Sequence, residues 1–168
     1  MISARLNSPD MGRLICGVVL STLSMQATPA VADCPTPMEL SKTLLKDKYS
    51  FQLEQKMPEF IAPEFRKLIE ADHECERKEQ GVCRLDWDPW ISAQDGEMGK
   101  PVTVTYEFKR SDEAVVAVKY PFVLGDDRPV AQVVHLVYQK KQGACWTLED
   151  FIEPAGQSMF RVFSEPMP

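Results

Sequence analysis

Twelve residues, Arg84 to Asp95, concentrate side chains able to do chemistry. They include the acids Asp86, Asp88 and Asp95, the tryptophans Trp87 and Trp90, and Gln94, with Pro89 among them. No regular amphipathic element has that composition, so local bonding must set the shape of the segment. Asp88 and Asp95 form a candidate carboxylate pair for acid–base work. His135 is the partner either would need for proton transfer, since His titrates near neutral pH. Asp86, Asp88, Ser92, Gln94 and Glu97 also space oxygens in the manner of a calcium loop. The match fails in detail, because Trp90 stands where a ligand oxygen belongs and Ile91 replaces the turn glycine. The plain alternative has the aspartates bonding nearby backbone N–H groups and the tryptophans filling the core. If the segment instead borders a pocket, Trp87, Trp90, Gln94 and Asp95 are its ligand-binding candidates. Catalysis is then confined to His135, Asp88 and Asp95.

Other chemistries find little support. The chain has two histidines, His73 and His135, and they lack metal-pair spacing. There is no glycine-rich phosphate loop and no serine in a nucleophile-elbow setting, so no cofactor is expected. His73, Cys75 and Cys83 sketch a metal site, but it wants a fourth ligand and a reducing compartment.

The cysteines fit an oxidising compartment better. Arg5 and Arg13 precede an uncharged, mostly apolar run from Leu14 to Met25, and Ala30-Val31-Ala32 follows. That order of basic, apolar and small-residue segments predicts a secretory signal over residues 1–32, cleaved near Ala32, with Met11 as an alternative start. The apolar run is too short to serve as a membrane anchor. Lipidation at Cys34 is disfavoured by Asp33 before it. Four cysteines remain: Cys34, Cys75, Cys83 and Cys145. An even number in an exported chain predicts two disulfides. Of the three pairings, spacing favours Cys75 with Cys83 and Cys34 with Cys145. Loop-closure entropy gives the long link roughly 5 kcal/mol and the short one about 2.5 kcal/mol.

Residues 33–168 are enough for a single domain. They carry 17 Lys and Arg against 24 Asp and Glu, a net charge of −7. Such a balance disfavours nucleic acid and anionic lipid as partners. It is compatible with a basic envelope protein.

Helices come first. Met38, Leu44, Leu45 and Tyr49 share a face of a helix predicted from Thr36 to about Tyr49, with Thr36 as cap and Pro37 in the first turn. Phe60, Ile61, Phe65, Leu68 and Ile69 predict a second helix from about Pro58 into the 70s, regular from Pro63 onward. The charged run Glu74–Gln80 reads as its solvated end. After Lys100 the period changes to two. Val102, Val104, Tyr106 and Phe108 mark one strand, and Val115–Val123, Val130–Gln139 and Cys145–Phe151 three more, joined by short turns. Consecutive strands of this kind make an antiparallel meander. The fold class is therefore α+β, with N-terminal helices packed on a curved four-stranded sheet. Met159, Phe160, Val162 and Phe163 suggest a short docking helix at the end.

Three local patterns support a family resemblance. They are Asp88-Pro89-Trp90, Ala93-Gln94-Asp95 and Trp146-Thr147-Leu148-Glu149-Asp150-Phe151. In an exported domain with paired helices followed by a meander, they resemble the bacterial domain of unknown function 3828 family, from roughly Pro35 to Phe151. The resemblance implies the cone-like fold of the nuclear transport factor 2-like superfamily, in which a bent sheet wraps a helix and leaves a pocket at its open end. Members of that superfamily include enzymes and binding proteins, and the family brings no catalytic residues to carry over. The expected function is a non-enzymatic, periplasmic or secreted binding protein for a protein or a small ligand. The rival readings are a pocket enzyme using His135 with an aspartate, and a purely structural envelope domain.

Overall fold

The first helix, α1 (Pro37–Lys46), starts at a reciprocal cap. Thr36 Oγ1 accepts the Glu39 amide at 3.3 Å, and the Glu39 carboxylate accepts the Thr36 amide at 2.7 Å. The Thr36 and Glu39 amides are thereby satisfied reciprocally, and the Met38 amide donates to Tyr106 Oη at 3.4 Å. The computed structural model describes residues 34–47, 49–51 and 56–166. The expected export signal, residues 1–32, lies outside them. Leu40, Ser41 and Leu44 form the buried face of α1. Ser41 Oγ bonds the Pro37 carbonyl at 2.7 Å and pairs with Tyr138 Oη at 3.0 Å. A buried hydroxyl thus docks the helix without leaving a polar group unsatisfied. α1 ends at Lys46, short of Tyr49, which is buried in the segment that follows.

The second helix, α2 (Pro63–Glu79), begins at Pro63, where the regular helix is expected. Glu59 and Phe60 precede it as a turn, closed by Ile61 N on Pro58 O at 3.1 Å, and Ile61 bridges to Leu148, covering the edge of a strand. Leu148 N donates to Phe60 O at 2.7 Å and Ala62 N donates to Leu148 O at 2.9 Å. Pro63, which has no N–H to lose, then opens the helix. Phe65, Ile69, Asp72 and His73 form its buried stripe, and Gln80 ends it in the left-handed region at φ 52°.

Five strands follow: β1 (Glu97–Met98), β2 (Thr103–Lys109), β3 (Glu113–Val123), β4 (Val130–Lys140) and β5 (Trp146–Ile152). All pairings between them are antiparallel, in the order β1-β3-β4-β5. β2 lies beside β1 on the same flank of β3. The expected four-strand meander is present, with the two-residue β1 added. The sheet curls, giving an α+β architecture with a half-barrel sheet.

The curled sheet presents Ala114, Val116, Val118 and Tyr120 of β3 and Val134, Leu136 and Tyr138 of β4 to the core. Two irregularities change the alternation. The β2 register shifts between Tyr106 and Phe108, so Phe108 pairs with Val115 and turns to the outer face. Its ring lies 4.9 Å below the Arg110 guanidinium rather than in the core, contrary to the strict alternation expected of β2. A second shift lets Leu148 and Phe151 of β5, an odd number of residues apart, both face inward. Phe51, Phe65, Phe151 and Phe163 gather at the centre, with Phe51 and Phe151 edge-on at 5.0 Å. The last helix, α3 (Met159–Ser164), adds Met159, Val162 and Phe163 to them, while Phe160 lies at the surface with its ring 6.0 Å from that of Phe65.

Both expected disulfides form. Cys34 pairs with Cys145, anchoring the residues before α1 to those before β5. Cys75 pairs with Cys83 across the end of α2. Among the described residues, no helix is long and apolar enough to cross a membrane.

Candidate functional site

The Asp88-Pro89-Trp90-Ile91 turn is closed by its own first residue. Asp88 Oδ1 accepts the Trp90 amide at 2.9 Å, and the Asp88 carbonyl accepts the Ile91 amide at 3.1 Å. Asp88 N in turn donates to Ala93 O at 2.9 Å, closing the base of the loop. Ser92 supplies the reversal with a left-handed φ of 51°. Its Oγ accepts the Ala155 amide at 3.3 Å, fastening the loop to the chain beyond β5. This is the side-chain-to-backbone bonding open to an Asp beside Pro.

Trp90 faces inward from that loop. Its Nε1 donates to Tyr49 O at 2.8 Å, and its ring meets Phe151 edge-on at 4.9 Å. Tyr49 itself is buried, which pushes its phenol up to about 12. Its hydroxyl has no hydrogen-bond partner among the described residues.

A cavity of about 500 Å³ opens beside this loop. Leu45 of α1, Tyr49, Trp90, Ile91, Met98 of β1 and Val102 supply apolar wall. Asp88, Ser50, Glu97 and Lys100 supply polar groups. Few, convergent polar groups in an apolar recess are the usual make-up of a small-ligand site. Gly96 also borders the cavity at φ 113°, and a Cβ there would overlap the Phe122 ring and lie 2.9 Å from Val123 O. Glycine is therefore needed for the backbone to approach β3 so closely.

Burial pushes the Asp88 carboxyl above the usual carboxylate range, against the opposing pull of the Trp90 amide. The Tyr120 phenol is likewise pushed up, first by burial and then by the negative charges of Asp88 and Glu153. Tyr120 donates to Gln132 at 3.3 Å, and the buried Glu153 accepts the Trp87 indole N–H at 2.7 Å. Asp88 thus borders the cavity on one side and acts on the Tyr120 phenol on the other.

Of the residues expected to form a site, Asp88 and Trp90 reach this cavity together. Trp87 is half-buried and engaged with Glu153. Gln94 and Asp95 are exposed, and Gln94 donates to Asp86 Oδ2 at 3.2 Å. His135 is not brought to Asp88 or Asp95. It alternates with the inward-facing Val134 and Leu136, so it projects from the outer face of the sheet. There its Nε2 lies 3.0 Å from Glu107 Oε2, on the irregular stretch of β2. The expected acid–base pairing of His135 with an aspartate is therefore not assembled, because strand parity sends the imidazole to the other side.

The metal alternatives also come apart. Cys75 and Cys83 are joined to each other, and His73 Nε2 lies 2.8 Å from Phe51 O. Asp86 Oδ2 accepts from Gln94, Asp88 Oδ1 from the Trp90 amide and Ser92 Oγ from the Ala155 amide, so these oxygens do not converge on one point as calcium ligands would. Among the described residues, no three His, Cys, Asp or Glu side chains are grouped to hold a metal ion.

A second recess, of about 620 Å³, is a shallow groove of Pro101, Pro121, Pro129 and the neighbouring outer-face residues. It has no buried carboxyl, and its one charged side chain, Lys119, is exposed. Volume alone favours that groove, whereas the chemistry favours the cavity at Asp88.

Sequence reading missed Leu45, Ser50, Met98, Lys100 and Val102. Their only signal is being apolar or polar at ends of elements, which says nothing about convergence. Comparison of the chain with protein-family models, with curated proteins and with solved structures found no match.

Proposed function

We propose that this protein is an exported, non-enzymatic binding protein that holds a small ligand in the cavity beside Asp88 and Trp90. One observation carries the reading. Asp88 is a partly buried carboxyl on an apolar wall, and only its Oδ1 is taken by a backbone donor among the described residues. The carboxylate lines the cavity and can accept further hydrogen bonds once something supplies a donor. A ligand would do so.

Binding is preferred to catalysis because proton transfer needs a second titrating group beside the first, and His135 is engaged with Glu107 on the other face. Export to a periplasmic or extracellular compartment is supported by the signal-like residues 1–32 and by the two disulfides. We keep membership of the domain of unknown function 3828 family, and its cone-like fold, as part of the proposal. Helices followed by a curled sheet, with a cavity between α1 and the sheet's flank, support it.

The test is native mass spectrometry of the oxidised protein recovered from its own source, for wild type and Val102→Trp, which fills the cavity. A small bound mass carried by the wild type and absent from Val102→Trp is the expected result. A co-purifying protein retained equally by both would overturn the cavity reading and favour a basic protein partner.

A further inference from the structure

We propose that the cavity takes an organic cation, an amine on a flat or branched apolar body, with its ammonium on Asp88. This rests on the cavity being the binding site and adds the charge class of the ligand.

The sign of the charge follows from what surrounds Asp88. The ion pairs among the described residues join Lys78 to Glu74, Arg84 to Asp72 and His135 to Glu107, and none reaches Asp88. Its Oδ1 takes one backbone N–H, whereas a carboxylate can accept about four hydrogen bonds. Lys100 and Glu97 also border the cavity, but both are exposed and of opposite sign. Their fields offset, leaving Asp88 as the net charge of the recess. An anion entering it would meet two carboxylates and a single solvated ammonium.

The donors on the wall point the same way. The Trp90 N–H groups are both consumed, the indole by Tyr49 O and the amide by Asp88. Trp90 therefore offers the recess no donor; the Tyr49 hydroxyl can donate or accept, and Asp88 is a charge that only accepts, which suits a ligand that donates. Burial sharpens this preference, since an ammonium relieves the desolvation of Asp88 while a neutral donor relieves only part of it. The remainder of the wall, including Trp90, Met98 and Leu45, is apolar or aromatic, matching a hydrocarbon body behind the charge. A cavity of about 500 Å³ holds such a molecule and excludes a folded polypeptide.

Three probes with one ring and different charge test the proposal: 2-phenylethylamine, 2-phenylethanol and phenylacetate, titrated calorimetrically into the oxidised protein at neutral pH. The amine is expected to bind about tenfold or more tightly than the alcohol, and phenylacetate weakest, as a charge-assisted bond implies. Asp88→Asn keeps the Oδ1 acceptor for Trp90, so the loop is retained, and should bring the amine to the level of the alcohol. Lys100→Glu should tighten the amine further. Alcohol or phenylacetate binding as tightly as the amine, with Val102→Trp abolishing it, would overturn the cation and leave the cavity reading intact. Failure of all three probes to bind would overturn both.

Discussion

The indole nitrogen of Trp90 donates to the backbone carbonyl of Tyr49 across 41 residues of chain, at 2.8 Å. This bond joins the 88–91 loop to the segment that leaves α1, and so holds two walls of the cavity together. Trp90 is 5 % exposed and Tyr49 2 %. Trp90→Phe keeps an aromatic ring against Phe151 and removes the donor, leaving a buried carbonyl unpaired. The expected loss is about 1–3 kcal/mol in urea-induced unfolding. A variant as stable as the wild type would mean that the carbonyl finds another donor and that the two walls are held by packing alone.

The two disulfides should differ in weight. Cys34–Cys145 spans 111 residues and Cys75–Cys83 spans 8. Loop-closure entropy predicts a loss of roughly 5 kcal/mol for the double Ser replacement of the long bridge and about 2.5 kcal/mol for the short one. Denaturant midpoints of the two double variants, at equal slope, measure the difference. Equal losses, or a larger one from Cys75 and Cys83, would place the stabilisation in the local end of α2 instead.

The strands were legible because Val102 through Tyr106 alternates with polar residues and the turns carry Gly or Asp. The two register shifts were not. Each adds one residue, Glu107 in β2 and Glu149 in β5, and an added residue leaves no compositional mark. The face of His135 was hidden for a related reason. In Val133-Val134-His135-Leu136-Val137 both parities are apolar, so only the pairing with Ala117 and Ile152 shows which side the imidazole takes. Asp88 and Trp90 were found as candidates through an unusual local composition. The cavity itself was not, because Leu45, Tyr49, Trp90, Met98 and Val102 come from separate segments, and periodicity informs only within an element.

The outer-face pair gives a control for the site. His135 and Glu107 are in contact at 3.0 Å, with side-chain exposures of 27 % and 56 %. A pair so open to solvent contributes little, on the order of 1 kcal/mol or less. His135→Ala should leave both the unfolding midpoint and the binding of any cavity ligand close to wild type. A variant that folds normally but loses ligand binding would return His135 to the site and revive the acid–base reading.

Asp88 should also mark the site through pH. Burial raises its carboxyl in the folded protein, so the folded state binds more protons than the unfolded chain in the window just above the ordinary Asp value. Stability then falls as pH rises through that window, the reverse of a salt-bridged aspartate. The charged and titratable groups around it include Tyr49, Tyr120 of β3, Glu97 of β1 and Lys100, with Glu153 beside Tyr120; both phenols stay neutral over this range, and Glu97 and Lys100 are exposed. Asp72 and Glu76 are raised by burial as well, and their contribution is common to wild type and an Asp88 variant. The informative quantity is therefore the difference between wild type and Asp88→Asn. Both are neutral at position 88 at pH 3, so their unfolding free energies should lie close together there. By pH 7 the wild type carries a desolvated charge and Asn does not, so Asp88→Asn should become the more stable of the two. Urea unfolding of both proteins at the two pH values checks this. A wild type that gains on the variant as pH rises would mean that the carboxylate is already well paired, removing the spare acceptor capacity on which the ligand site depends.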